Sequence, residues 1–213
     1  MIEHPPKAAL PTAARVALHL LLATACCAAQ QRPNGLYAIF NTSQGQFTAV
    51  LYEKATPNTV KMFVALAQGT KATLDPKTGK MALRRLYDNI TFHRVVRDEM
   101  IQAGDPTGTG THNCGFTIRD EILPGLRFDR AGMLAIANTG APDSGGCQFF
   151  ITVNAMQSWT GKYTVFGSVV EGLDVVTKIN HAPGHGDKPV DPVKLIGVTI
   201  ERIGPAPVRK PKK

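Results

Sequence analysis

The chain has no apolar run long enough to cross a membrane. Its longest, Val16 to Ala25, falls well short of the ~20 residues a bilayer span needs. There is no internal repeat, which argues against a solenoid or a propeller. Charged residues make up only 19% and apolar residues 43% of the sequence, a balance unlike that of disordered or fibrous chains. The net charge of +8 is not organised into a basic patch interleaved with aromatics, so no nucleic-acid partner is expected. No spacing of His, Cys, Asp or Glu suggests a metal site. His181 and His185 are four apart, but Pro183, Gly184 and Gly186 forbid the helix that would align them. With 213 residues there is room for one domain with a full core and not comfortably for two.

What is present begins with a leader. Lys7 and Arg15 precede the apolar run, which ends in the small residues Cys26, Cys27, Ala28 and Ala29. A basic start, a short apolar stretch and a small-residue exit describe a secretory signal over residues 1–29. The expected location is therefore secreted or periplasmic. Leu22-Ala23-Thr24-Ala25-Cys26 also approaches a lipoprotein signal, with Cys26 or Cys27 as the lipid anchor. Removing the leader takes away Glu3, Lys7 and Arg15, so the charge falls from +8 to +7. Residues 205–213 carry Arg209, Lys210, Lys212 and Lys213 among prolines and read as a basic disordered tail. The domain is thus expected over residues 30–204.

Within it, Leu36 to Tyr52 is rich in β-branched and aromatic residues and is broken by Gln44-Gly45, a β-hairpin pattern. Thr56-Pro57-Asn58-Thr59 reads as a helix entry. Val60, Phe63, Val64 and Ala67 form one apolar face, and Gly69 is the stop. Residues 70–86 read as an exposed loop around Asp75-Pro76-Lys77-Thr78-Gly79. Strands are expected over 90–96, 132–137, 148–152, 163–170 and 194–203. A second helix is expected over 172–179, burying Leu173, Val176 and Ile179. Many short strands with two isolated helices suggest an all-β antiparallel barrel.

Five segments, in order, resemble the cyclophilin family. They are Phe92-His93-Arg94-Val95-Val96, Met100-Ile101-Gln102-Ala103-Gly104-Asp105, Ala135-Ile136-Ala137-Asn138, Gln148-Phe149-Phe150-Ile151 and Trp159-Thr160-Gly161-Lys162-Tyr163-Thr164-Val165-Phe166-Gly167. The resemblance covers about residues 35–203, and its later part looks more bacterial than eukaryotic. It implies a closed eight-stranded antiparallel β-barrel capped by two α-helices. It also implies peptidyl-prolyl cis-trans isomerase activity on proline-containing polypeptides, by a monomer, with no cofactor and no metal. Residue by residue, it implies Arg94 and Gln102 as the catalytic pair. Met100, Ala137, Asn138, Gln148, Phe150, Trp159 and Tyr163 are implied as the substrate-binding set.

The residue types fit that chemistry. Resonance in an Xaa-Pro bond sets a barrier of ~18–20 kcal/mol. In the twisted amide the prolyl nitrogen becomes pyramidal and can accept a hydrogen bond, so a donor aimed there favours that state over both planar ones. Arg94 supplies rigid, permanently charged donors. Met100 and Phe150 offer an apolar seat for the ring.

Three departures from the family stand out. Glu99 replaces a usual phenylalanine, Thr160 replaces a leucine with one residue missing before Gly161, and Tyr163 replaces the histidine of eukaryotic members. Glu99 is expected to turn outward or to pair with Arg94 or Arg97, and cyclosporin is expected to bind with reduced affinity. The family's two loops that carry Cys114 and Cys147 here approach each other beside a second pocket, which implies a disulfide between them.

The sequence offers two other readings. Asp143-Ser144-Gly145-Gly146 is similar to the nucleophile loop of chymotrypsin-like proteases, but neither His93 nor His112 sits in an Ala-His-Cys setting. The serious alternative is a module that binds proline segments with little turnover, against which the presence of Arg94 argues.

Overall fold

The computed structural model describes residues 32–207. The leader with Cys26 and Cys27, and the tail from residue 208 onward, lie outside the described residues.

The expected hairpin forms from β1 (Gly35–Thr42) and β2 (Gly45–Leu51). Phe40 and Phe47 pair across it and stack at 4.6 Å. Helix α1 (Pro57–Gln68) starts on a proline, whose missing N–H costs nothing in the first turn. Its free amides are capped from afar. The Glu121 carboxylate accepts from the Asn58 and Thr59 N–H groups at 3.1 and 2.8 Å. Gly69 ends the helix at φ 76°, where a Cβ would meet the Arg84 and Arg85 backbone at 2.9 Å. The face of Val60, Phe63 and Ala67 is buried.

The segment read as a loop instead holds a small hairpin, β3 (Ala72–Leu74) and β4 (Met81–Leu83). Asp75 closes its turn by accepting from the Lys77 and Thr78 N–H groups. Leu74 N–H anchors it to Cys114 O at 3.0 Å.

The strand expected over 90–96 is two strands, β5 (Ile90–Thr91) and β6 (Arg94–Val96). There follow β7 (Met100–Ala103), β8 (Met133–Ile136), β9 (Phe149–Thr152) and β10 (Val165–Glu171). Helix α2 (Leu173–Asn180), a hairpin of β11 (Gly184–His185) and β12 (Lys188–Pro189), and β13 (Lys194–Ile203) complete the chain.

The main sheet is antiparallel, strongly curled and nine-stranded, in the order β5-β13-β1-β2-β10-β8-β9-β7-β6. This corrects the expectation of a closed eight-stranded barrel. The ladder is open, and β5 and β6 are its two ends. They are joined by Phe92-His93 alone, so the sheet must curl until its edges meet. The count is nine because β5 bonds to β13 while β6 bonds to β7.

Phe63 of α1 plugs the interior, with ring centroids 5.0–6.1 Å from Phe40, Tyr87, Phe149 and Phe166. Helix α2 buries Val176 and Ile179, but Leu173 is 38% exposed, against expectation. It stands at the helix start, before the inward stripe begins. Buried Asn180 instead completes α2. Its amide nitrogen donates to Val96 O and Met100 O, and its Oδ1 accepts from Asp98 N–H. One side chain thereby pins the β6–β7 turn.

Candidate active site

Register builds the site. Arg94 pairs with Gln102, Gln102 with Phe150, Phe150 with Ala135, and Ala135 with Val165. Paired residues share a face, so these five side chains form one row across five strands. Their chain neighbours Val95, Ile101, Phe149, Leu134 and Ile136 point the other way, into the interior. Met100, Phe150, Ala135 and Val165 belong to a second apolar cluster on the outer face.

A groove of about 420 Å³ opens on this face. Eight of the residues expected at the site line it: Arg94, Met100, Gln102, Ala137, Asn138, Phe150, Trp159 and Tyr163. The ninth, Gln148, lines an adjoining cavity. Phe150 meets Trp159 and Tyr163 edge to face at 5.5 and 5.0 Å. These are favourable aromatic geometries and they make a rigid box.

Beneath the box lies Phe128, fully buried and stacked on Phe150 at 5.8 Å. Sequence reasoning missed it, because its irregular segment carries no periodicity. Thr160 does not line the groove. Its hydroxyl accepts from Phe128 N–H at 3.2 Å, so the departure from leucine serves to fasten the floor.

The polar end is a relay of amides. Arg94 Nη1 points to Gln102 Oε1 at 3.5 Å. Gln102 donates to Gln148 Oε1 at 2.9 Å, and Gln148 to Gly110 O at 3.0 Å. Arg94 also donates from Nε to Asp187 Oδ2 at 3.0 Å, with Nη2 2.9 Å from the same oxygen. Asn138 is held by its amide, which donates to Lys162 O, while Ala137 N–H donates to Gln148 O. Asp187 was not singled out in the sequence. Glu99 lines the groove half-buried, and among the described residues no ion pair joins it to Arg94 or Arg97.

The Gly-rich loop over residues 104–115 is organised by buried Asp105. Its carboxylate accepts from Thr107 N–H and Oγ1, Thr109 Oγ1, and the N–H groups of Gly110 and His112. Burial alone would raise its pKa, but these bonds hold it below the usual carboxylate range.

His93, 9% exposed, also lines the groove, and neither ring nitrogen has a partner with hydrogen-bond geometry. Burial lowers its pKa. The Asp105 carboxylate opposes the shift, and Gln148 and the Thr91 backbone act from nearby without a well-formed bond.

The second cavity, about 440 Å³, shares Gln102, Gly110, Thr111, Ala137 and Asn138 with the groove. Cys114 and Cys147 line it and are joined as a disulfide, with Cα atoms 6.2 Å apart. Ser144 shows no protease chemistry. Its hydroxyl donates to Ala141 O at 2.6 Å and accepts from Thr139 N–H at 3.1 Å. His181 pairs with Asp98 at 3.0 Å, away from His185.

A sequence profile of the family described as "Cyclophilin type peptidyl-prolyl cis-trans isomerase/CLD" matches residues 37–200. The chain belongs to this family. Cyclophilin relatives include peptidyl-prolyl cis-trans isomerase B of Streptomyces anulatus, 41% identical over 78% of this chain and 97% of that protein. Peptidyl-prolyl cis-trans isomerase A of Mycobacterium tuberculosis is 40% identical over 76% of this chain and 91% of its own length. A solved cyclophilin from Cryptosporidium parvum superposes with a TM-score of 0.69 at 29% identity, covering 79% of this chain and 98% of that one. With such relatives along nearly their full length, this cyclophilin is a peptidyl-prolyl cis-trans isomerase.

Proposed function

We propose that Arg94 drives isomerisation by donating a hydrogen bond to the prolyl nitrogen as the Xaa-Pro amide twists. The observation that carries this is the position of the guanidinium, at the polar end of a row whose next side chains are Gln102 and Phe150. A ring seated against Phe150, Met100, Trp159 and Tyr163 presents its nitrogen toward that end. Twisting removes resonance and frees the nitrogen lone pair, so the donor favours the barrier top over either planar state. Gln102, tied to Gln148, steadies the guanidinium and offers a further polar contact. No bond is made or broken, so no nucleophile, metal or cofactor is needed.

The substrate is a proline-containing polypeptide, lying partly in the second cavity and pairing with the main chain near Asn138. Support comes from the cyclophilin of Cryptosporidium parvum solved in the presence of the dipeptide Ala-Pro. The disulfide fits an oxidising compartment, as does the leader-like opening, so the clients are exported proteins whose folding waits on slow proline steps.

A protease-coupled assay on an Xaa-Pro tetrapeptide tests the reading. Arg94→Ala should lower kcat/KM by ~10²–10³-fold, the typical loss on removing one transition-state donor. Equal rates would favour a proline-binding module.

A further inference from the structure

We propose that Asp187 is a positioning residue, whose carboxylate holds the Arg94 guanidinium with its Nη1 edge turned into the groove. The proposal rests on the arginine-donor reading above. A guanidinium has five donors in a planar fork. Asp187 Oδ2 engages one edge, through Nε at 3.0 Å and Nη2 at 2.9 Å. Gln102 Oε1 approaches Nη1 from the other side at 3.5 Å. Two flanking acceptors therefore fix the plane of a long side chain that is otherwise half exposed on an edge strand. Arg94 lines the groove and Asp187 does not, so the carboxylate acts only through the arginine.

The placement of Asp187 does not depend on its charge. Its carbonyl accepts from Val95 N–H at 2.8 Å, locking the β11–β12 turn to the register of β6. Gly184 pairs with Pro189 and His185 with Lys188 on either side of that turn. Val190 N–H closes it onto Pro183 O at 2.9 Å. An exposed ion pair of this kind contributes little to stability, so a purely structural role gives it no evident purpose. Pre-orienting a donor before the substrate twists is where a held geometry helps catalysis.

The test is kcat and KM, by the protease-coupled assay, for wild type, Asp187→Asn, Asp187→Glu, Arg94→Ala and the Arg94→Ala/Asp187→Asn double variant. Asp187→Asn should lower kcat roughly 5- to 20-fold with little change in KM, below the ~10²-fold cost of misplacing a group by 1 Å. Asp187→Glu should recover part of the loss, and the asparagine change should add nothing on the Arg94→Ala background. The ¹⁵N signal of the Arg94 Nε–H should be protected in wild type and lost in Asp187→Asn.

A wild-type rate for Asp187→Asn beside an inactive Arg94→Ala overturns the positioning role and leaves the arginine reading intact. A faster Asp187→Asn enzyme shows that the carboxylate withholds the donor, and also overturns it. An equal loss on both backgrounds marks a structural effect and does the same. Full activity in Arg94→Ala removes the arginine reading and this proposal with it. Should Asp187→Asn fold poorly, the glutamate variant decides: a lowered kcat at unchanged KM supports the positioning role, and a wild-type kcat with the Arg94 Nε–H protection lost overturns it.

Discussion

Breaking the Cys114–Cys147 disulfide should destabilise the protein chiefly by freeing its unfolded chain. The bond closes a loop spanning a sequence separation of 33. In the chain-entropy account such a cross-link removes about 12.5 cal/mol/K from the unfolded ensemble, or ~3.7 kcal/mol at 25 °C. For a domain of this size each kcal/mol moves Tm by ~2–4 °C, so the reduced form should melt ~7–15 °C lower. The native contacts survive reduction, because Ile118 N–H donates to Gly145 O at 2.8 Å, joining the two loops, and the buried Tyr87 hydroxyl separately holds Cys147 O at 3.0 Å. The sulfurs are buried, with Cys114 and Cys147 at 3% and 2% exposure, so reduction is best done in denaturant, followed by refolding under reductant. Urea titrations of the oxidised and reduced protein, followed through the single tryptophan, Trp159, would read the difference directly. A difference under about 1 kcal/mol would refute the entropic reasoning, since it would mean the reduced unfolded chain is already confined.

Two further outcomes follow from the groove. Glu99→Phe removes a half-buried carboxylate and adds apolar wall, so cyclosporin should bind ~10-fold tighter than to wild type, a gain of ~1.4 kcal/mol; low-nanomolar inhibition of the wild-type enzyme would show that Glu99 does not weaken the site. Burial lowers the pKa of His93 in the fold, with the Asp105 carboxylate opposing. The unfolded chain therefore takes up that proton first as pH drops below about 6.5, and stability falls there while remaining unaffected above it. Melting curves from pH 7.5 to 5.0 should show this loss in wild type and less of it in His93→Gln; parallel curves would remove His93 as the cause.

Local patterns were legible where local forces decide. The break between β1 and β2 falls at Ser43-Gln44, one residue before the expected Gln44-Gly45, and the Val60, Phe63 and Ala67 stripe and the Gly69 stop lie where period and turn chemistry put them. The site was legible through five motifs rather than through periodicity, and eight of its nine residues share one groove. What escaped was set by distant partners. The break at Phe92-His93 reflects a change of pairing strand, from β13 to β7. Leu173 reads as core by composition but stands outside the helix's buried stripe. Phe128 is core because Phe150 and Thr160 cover it, and Asp187 matters because Val95 draws its turn toward Arg94. None of these neighbours is near in sequence.

The five-strand row has a consequence for when activity appears. Each of its members arrives on a different strand between residues 94 and 165, so no shorter stretch of the chain carries the complete row. A one-residue slip of β9 would send Phe149 outward and Phe150 inward, exchanging the proline seat for a piece of core. Turnover thus reports the completed alignment of these five strands, and a molecule in which they are only partly zipped is catalytically silent however much secondary structure it holds.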